Sequence, residues 1–447
     1  MVCALARLAV CCYRAAHQSL TVDEATTYLK FVSGPWRKLF GRYDANNHIL
    51  SSVLIKLSVT LAGLSEFKLR LPSLIAGFFL TVGVFWILKG VKSWPLRWAA
   101  FALVCLHPLL FDFSIAARGY SLSLVFFVWG LYFCMERRYA LAGVLLGLSI
   151  AANLSILFPV LALMLIVAAF ERRIKPILNL VVPALLLAAL ITYPSLRRAH
   201  KDDFYTGYPD LRVAVASLTA TSLHARADRD GILGNRATAE HLGVIALPIF
   251  LALSAGAAFF VKDRRQLIPF LTIVVTLIGL ILARWLFGVN YPADRTCLYF
   301  VILAPIAWAV TGDAFANRFL HAVWLIPSLL LTVQFSTQLQ TRYFQFWRVE
   351  TDNKAIARLI QQACAGKPEN SMSLAVSWMH QPTMEFYRRY LHIDALKPVE
   401  RLDPTPLNGF DLYLLSWGDV DRAKQAQLPV LFADPDTEVM LAAEPRR

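Results

Sequence analysis

Charge is scarce in this chain: Asp, Glu, Lys and Arg make up 17% of 447 residues, whereas apolar side chains make up 57%. Soluble domains carry about a quarter charged residues, so the composition argues for a membrane protein. The seven cysteines (Cys3, Cys11, Cys12, Cys105, Cys134, Cys297 and Cys364) are scattered and odd in number. They lack ligand-type spacing, which argues against a disulfide framework or a zinc site. No other metal cluster or cofactor motif is visible, so no required metal or cofactor is expected. Strand-like alternation is missing from the apolar blocks, which favours a helical bundle over a barrel. The net charge of +14 invites a nucleic-acid reading. No basic stripe with interleaved aromatics supports it, so no nucleic-acid partner is expected. Internal repeats and low-complexity linkers are also missing.

What the chain does have is apolar blocks of roughly 15 to 22 residues, near the length that crosses a hydrocarbon core. Residues 1–16 read as a short first span rather than a signal peptide, because Arg7 and Arg14 interrupt it and no small-residue cleavage pattern follows. That shortness raises the question of a misassigned start codon. Further spans are expected at 71–88, 98–113, 120–135, 139–153, 154–170, 176–193, 242–261, 267–287, 296–310 and 319–335. Residues 48–64 are read as an amphipathic surface helix, and 139–170 as two helices broken at Asn153-Leu154-Ser155. With these choices Lys89/Lys92/Arg97, Arg137/Arg138, Arg172/Arg173/Lys175, Lys262/Arg264/Arg265 and Arg318 all fall on the cytoplasmic side. This gives about eleven spans, with Asp23-Glu24 and the tail on the opposite side.

The acidic pair Asp23-Glu24 follows the first apolar block directly, and acids so near a bilayer invite a functional reading. The alternative is a helix N-terminal pair, where acids are also favoured. Asn47-His48 reads either as a cap with an interfacial His or as part of a polar site. Arg70-Leu71-Pro72-Ser73 marks a helix start, with Pro in the first turn. Arg118-Gly119-Tyr120 sits at an outer span end, where Arg either snorkels or meets an anion such as a lipid phosphate. Asp294-Arg295 is either a self-satisfied ion pair or a guanidinium poised over phosphate. Arg197, Arg198, Lys201, Arg212, Arg226, Arg229 and Arg236 make the 194–241 segment basic.

The acidic pair, Asn47-His48, "SEFKLRLPS", "AARGYSLSL" and "YPADRTCLYF", in that order, resemble the bacterial GT-C membrane glycosyltransferases. Within them the resemblance is to the branch related to protein O-mannosyltransferases and the lipid A aminoarabinose transferase. It implies a sugar donor on a polyprenyl phosphate and a single displacement with inversion. It also implies Asp23 as general base with Glu24 beside it. Asn47, His48, Arg118, Tyr120, Asp294 and Arg295 are then substrate-binding positions. The chain departs from the family after His48, where Ile49-Leu50 stand in place of prolines.

The expected fold is an all-α polytopic GT-C module over 1–338, its first outer loop (17–70) catalytic, followed by a small extracytoplasmic α/β domain over 339–447. The expected activity is transfer of a sugar from a polyprenyl-phosphate donor to an extracytoplasmic glycan, lipid or protein, in the bacterial inner membrane. The alternative is a lipid or small-molecule transporter or flippase. That reading predicts paired repeats and broken spans with buried ions near mid-bilayer.

Overall fold

A computed structural model describes residues 2–41, 43–200, 203, 207–226, 228, 230–315, 318–402 and 407–444. Lys201, Arg229 and the side chain of Arg318 lie outside the described residues. The chain is a mostly helical, multi-pass membrane protein. Among the described residues six helices are long and apolar enough to cross a membrane: Glu66–Leu88, Ile174–Leu196, Arg236–Ala258, Arg264–Phe287, Asp294–Gly312 and Leu320–Gln338. Six shorter apolar helices accompany them. The chain divides into two compact units. Residues 1–13 and 39–339 form the first, and residues 14–38 join 340–447 in the second.

In the first unit, helices approach each other through small residues, as membrane packing without a hydrophobic drive requires. A Cβ on Gly143 would strike the Leu180 carbonyl, and one on Gly147 the Ala184 carbonyl, so Tyr139–Ala152 lies directly on Ile174–Leu196. The opposite side of Ile174–Leu196 leaves Leu178, Val182, Leu186 and Leu190 exposed at four-residue spacing, an apolar face suited to lipid. Arg7, in the first helix (Val2–His17), is buried but fully engaged. It donates to the carbonyls of Cys105 (3.2 Å), Gly77 (3.3 Å) and Leu110 (2.7 Å) and to the hydroxyls of Thr81 (3.3 Å) and Ser114 (2.8 Å). Arg7→Ala removes five buried hydrogen bonds at once. It is expected to cost on the order of 2–4 kcal/mol, read as a lower unfolding midpoint in detergent.

Several helix boundaries differ from the sequence expectation, each for a local reason. The expected 98–113 span is interrupted at His107, which precedes Pro108 and takes extended geometry (ψ 120°), so the helix Trp94–Leu106 ends and Pro108–Phe113 begins. The helix expected to start near Arg70 instead starts at Glu66. Ser65 caps it by accepting the Lys68 amide, which leaves Pro72 inside the helix and Arg70 wholly buried. Within the expected basic outer loop, Leu211–Leu223 is a helix and Arg236–Ala258 begins early, each capped by a side chain (Asp210, Asn235). The break at Asn153 is present. Its backbone is extended and its carboxamide oxygen accepts the Ser155 amide at 3.0 Å, ending Tyr139–Ala152 before Leu157–Phe170.

The second unit carries a mixed sheet of β1 (Leu374–Val376), β2 (Glu400–Arg401), β3 (Leu412–Ser416), β4 (Val430–Asp434) and β5 (Val439–Ala443), in the order β2-β1-β3-β5-β4. β1 pairs in parallel with β2 and β3, while β5 runs antiparallel to β3 and β4. Every residue of β3 is buried, which is why its run Leu-Tyr-Leu-Leu shows no alternation. Helices Asn353–Ala363, His380–Tyr390 and Gly418–Gln425 complete this α/β fold. Residues 14–22 are tied to it by hydrogen bonds: Arg14 to the Tyr343 carbonyl (2.8 Å), Gln18 to that of Thr341 (2.8 Å) and Ser19 to that of Thr351 (2.6 Å).

Candidate functional site

The acidic pair opens a short helix, Val22–Thr27, in the second unit. Thr21 caps it: its hydroxyl accepts the Glu24 amide (3.3 Å) while Glu24 Oε2 accepts the Thr21 amide (2.9 Å). This reciprocal capping box gives Glu24 a structural role. Asp23 is not part of that box; its carbonyl accepts the Thr27 hydroxyl at 2.9 Å. A π-helical turn, Tyr28–Val32, follows directly, a geometry frequent at functional sites. Beside the pair stands Glu350, 1% exposed, whose Oε2 accepts the Val22 amide and Oε1 the Thr383 hydroxyl, each at 2.8 Å. Burial foremost, and then the nearby Asp23 and Glu24 carboxylates, hold the Glu350 carboxyl well above its usual range.

The other site candidates gather in the first unit. Asn47 donates to the Leu39 carbonyl at 2.9 Å, and its Oδ1 stays buried with no hydrogen-bond partner. Next to it, His48 meets the Tyr120 ring edge-on at 5.2 Å, and its Nε2 is likewise buried without a partner. Arg118 is the N-cap residue of Gly119–Met135, 2% exposed, and donates to the Asn46 carbonyl at 3.1 Å. Enclosure, then the charges of Arg118 and Arg295, hold the His48 imidazole well below its usual range, so it stays neutral. Two guanidinium groups 177 positions apart (295 − 118) are thus brought to bear on one imidazole.

Two adjoining cavities lie here, with Asn153 in the wall of both. One is lined by Tyr43, Asn47, His48, Asn153 and Thr192 among others. The second is lined by Tyr120, Ser123, Asn153, Arg295, Thr296 and Tyr299 among others. Asn153 Nδ2 and the Tyr299 hydroxyl are buried without partners, as are the Asn47 and His48 atoms already named. These four buried polar atoms around one pair of cavities are available to hydrogen-bond a bound group. The Tyr43 phenol, pushed up to about 12 by burial and then by Tyr120 and Asp44, remains a donor at neutral pH.

Asp294 takes a positive φ of 41°, a strained conformation for a residue that is not glycine. It accepts the Ser217 hydroxyl at 2.5 Å, and Ser217 lies 3.1 Å from the Tyr208 hydroxyl. A backbone bridge joins Tyr208 to Tyr291, so Asp294 is tied to this strap and fixes the turn that carries Arg295. Gly119 is required by close approach: a Cβ there would collide with the Ala152 carbonyl oxygen and the His48 side chain. Gly119→Ala is therefore expected to cost about 1–3 kcal/mol, measured by thermal unfolding in detergent. An unchanged midpoint would contradict this packing.

Sequence reasoning singles out Asn47, His48, Arg118, Tyr120 and Arg295; the structure puts Asn47, His48, Tyr120 and Arg295 in the walls of these cavities, with the Arg118 charge bearing on His48. It places Asp23 and Glu24 in the other unit, beside Glu350. Sequence reasoning misses Tyr43, Asn153, Thr192, Tyr299 and Glu350. Asn153 carried a signal, as a polar residue inside an apolar stretch of 32 residues (139–170), but it reads there as a helix break.

The sequence matches no protein-family model, and no curated protein is significantly similar to it. Solved structures are similar in fold. ArnT from Cupriavidus metallidurans bound to undecaprenyl phosphate is 15% identical, with a TM-score of 0.53 over 100% of this chain and 99% of that one. The Archaeoglobus fulgidus oligosaccharyltransferase in complex with Zn and sulfate is 12% identical, with a TM-score of 0.51 over 99% of this chain and 73% of that one. The chain therefore has the fold of the GT-C membrane glycosyltransferases.

Proposed function

We propose that this protein is an integral-membrane glycosyltransferase that moves a sugar from a polyprenyl-phosphate donor to an acceptor outside the bacterial cytoplasm. The observation that carries the reading is the pairing of two guanidinium groups, Arg118 and Arg295, with partnerless buried polar atoms around one pair of cavities. Cations suit the phosphate, and neutral donors and acceptors suit the hydroxyls of a sugar ring. The fold is shared with a protein whose structure holds undecaprenyl phosphate.

In this reading Asp23 takes the proton of the acceptor hydroxyl as that oxygen bonds to the anomeric carbon. The bond from that carbon to the phosphate oxygen breaks on the opposite face, and polyprenyl phosphate leaves with its electrons. One base and one displacement invert the configuration. Glu24 holds the turn that bears Asp23 through its capping box. Arg118 and Arg295 stabilise the departing phosphate, the expected main catalytic term. Asn47, neutral His48, Tyr120, Asn153 and Tyr299 receive the sugar, and Asp294 keeps Arg295 in place. In this reading the six long helices, four of the shorter ones (Trp94–Leu106, Gly119–Met135, Tyr139–Ala152 and Leu154–Phe170) and the first helix, Val2–His17, make about eleven spans, with the C-terminal unit extracytoplasmic.

Release of free polyprenyl phosphate from a panel of polyprenyl-phosphate sugars, in membranes containing the protein, tests this. Release with at least one donor, above membranes lacking the protein, is the expected result. No release in the presence of envelope acceptors would contradict it.

A further inference from the structure

The backbone around the acidic pair is fastened to the rest of its unit by hydrogen bonds from successive residues. The Ser19 hydroxyl donates to the Thr351 carbonyl at 2.6 Å, and the Leu20 amide to the Tyr387 hydroxyl at 3.0 Å. The Thr21 amide then donates to Glu24 Oε2 at 2.9 Å, and the Val22 amide to Glu350 Oε2 at 2.8 Å. Glu24 and Glu350, each 1% exposed, therefore take hydrogen bonds from adjacent peptide units. The Asp23 and Glu24 charges bear on Glu350, and carboxylates that interact in a dry setting do not both ionise freely. Glu350 is flanked by the carboxylates of Asp23 and Glu24 from the helix Val22–Thr27 and by the Thr383 hydroxyl from His380–Tyr390. It is the member whose surroundings favour the neutral acid.

We propose that Glu350 is a positioning residue. As a neutral acid bonded to the Val22 amide and to Thr383, it clamps the first turn of Val22–Thr27 and so aims the Asp23 carboxylate. The inference rests on the reading of Asp23 as the base. It gives the C-terminal unit a definite part in the reaction: the helix His380–Tyr390 and the turn bearing Glu350 form the seat of the acidic pair. A carboxamide reproduces a neutral acid here, because its oxygen accepts the Val22 amide and its NH₂ donates to the Thr383 oxygen, whose hydroxyl can rotate.

The test compares full-length Glu350→Gln, Glu350→Ala and Asp23→Asn, assayed for polyprenyl phosphate release with a donor that the wild type turns over. Glu350→Gln should stay within about threefold of wild type. Glu350→Ala should lose about tenfold or more in kcat with donor KM within about twofold. Amide hydrogen exchange of residues 20–27 should quicken in Glu350→Ala alone. This measurement needs no turnover, and Thr383→Val, which removes one clamp bond, serves if Glu350→Ala does not fold. Wild-type kcat and wild-type exchange in Glu350→Ala would overturn the proposal. So would a Glu350→Gln as impaired as Glu350→Ala, since an ionised carboxylate would then be required. Full turnover in Asp23→Asn would instead remove the base reading, whatever Glu350 does.

Discussion

Asp23→Asn is expected to lower turnover by about 10²–10⁴, the usual contribution of a positioned general base. The substitution keeps size and shape but removes the negative charge and with it the ability to take a proton. The turn survives it, because the capping box depends on Thr21 and Glu24, and the Val22 amide still reaches Glu350. Unfolding in detergent should therefore match wild type while turnover collapses. Glu24→Gln is the informative companion: glutamine serves at the same position of a capping box, so this variant should keep most of its activity. Equal losses in the two variants would show that the pair acts through charge in general rather than through Asp23 as base.

Arg295→Met should lower turnover by about 10²–10³, the scale of removing one preorganised group that stabilises developing charge. A polyprenyl-phosphate sugar is a phosphodiester and carries one negative charge. The polyprenyl phosphate that leaves is a monoester and gains a second. A guanidinium beside that phosphate is thus worth more in the transition state than with bound donor, so kcat should fall more than KM rises. Arg295 is well placed for this role in its turn Asp294–Cys297, held by the Ser217 and Tyr208 strap and lining the same cavity as Tyr299. Arg295→Lys keeps the charge but loses the planar fork and should fall between. A tenfold rise in KM at unchanged kcat would assign Arg295 to ground-state binding alone.

Much of the helical unit was legible because apolar runs of span length admit few readings. Helix ends were less so. Ser65 and Trp94 begin their helices earlier than the apolar runs indicate, since a cap or a first-turn proline works through hydrogen bonding and φ rather than hydropathy. In the C-terminal unit the sequence reads as helices at 353–364 and 381–390 and strands at 373–378 and 410–416, which match two of the helices, β1 and β3, whereas β2, β4, β5 and Gly418–Gln425 gave no such signal. Strands of two to five residues take their stability from sheet neighbours more than from their own sequence. The site divides in the same way. Asn47, His48, Arg118 and Arg295 stand out as polar residues at the edges of apolar blocks. Tyr299 looks like any aromatic in a span, and only its enclosed, partnerless hydroxyl reveals it. Glu350 gives no local signal at all; its meaning comes from Val22, 328 positions away, donating to it.

The central claim is group transfer from a lipid phosphate, and a donor labelled in its sugar tests it most directly. Proteoliposomes containing the protein would be supplied with the labelled polyprenyl-phosphate sugar and an envelope extract as acceptor. The account predicts label on an acceptor, one for one with free polyprenyl phosphate, and neither product with Asp23→Asn. Intact donor moved from one leaflet to the other, with no label transferred and no lipid phosphate released, would contradict it and establish a transporter.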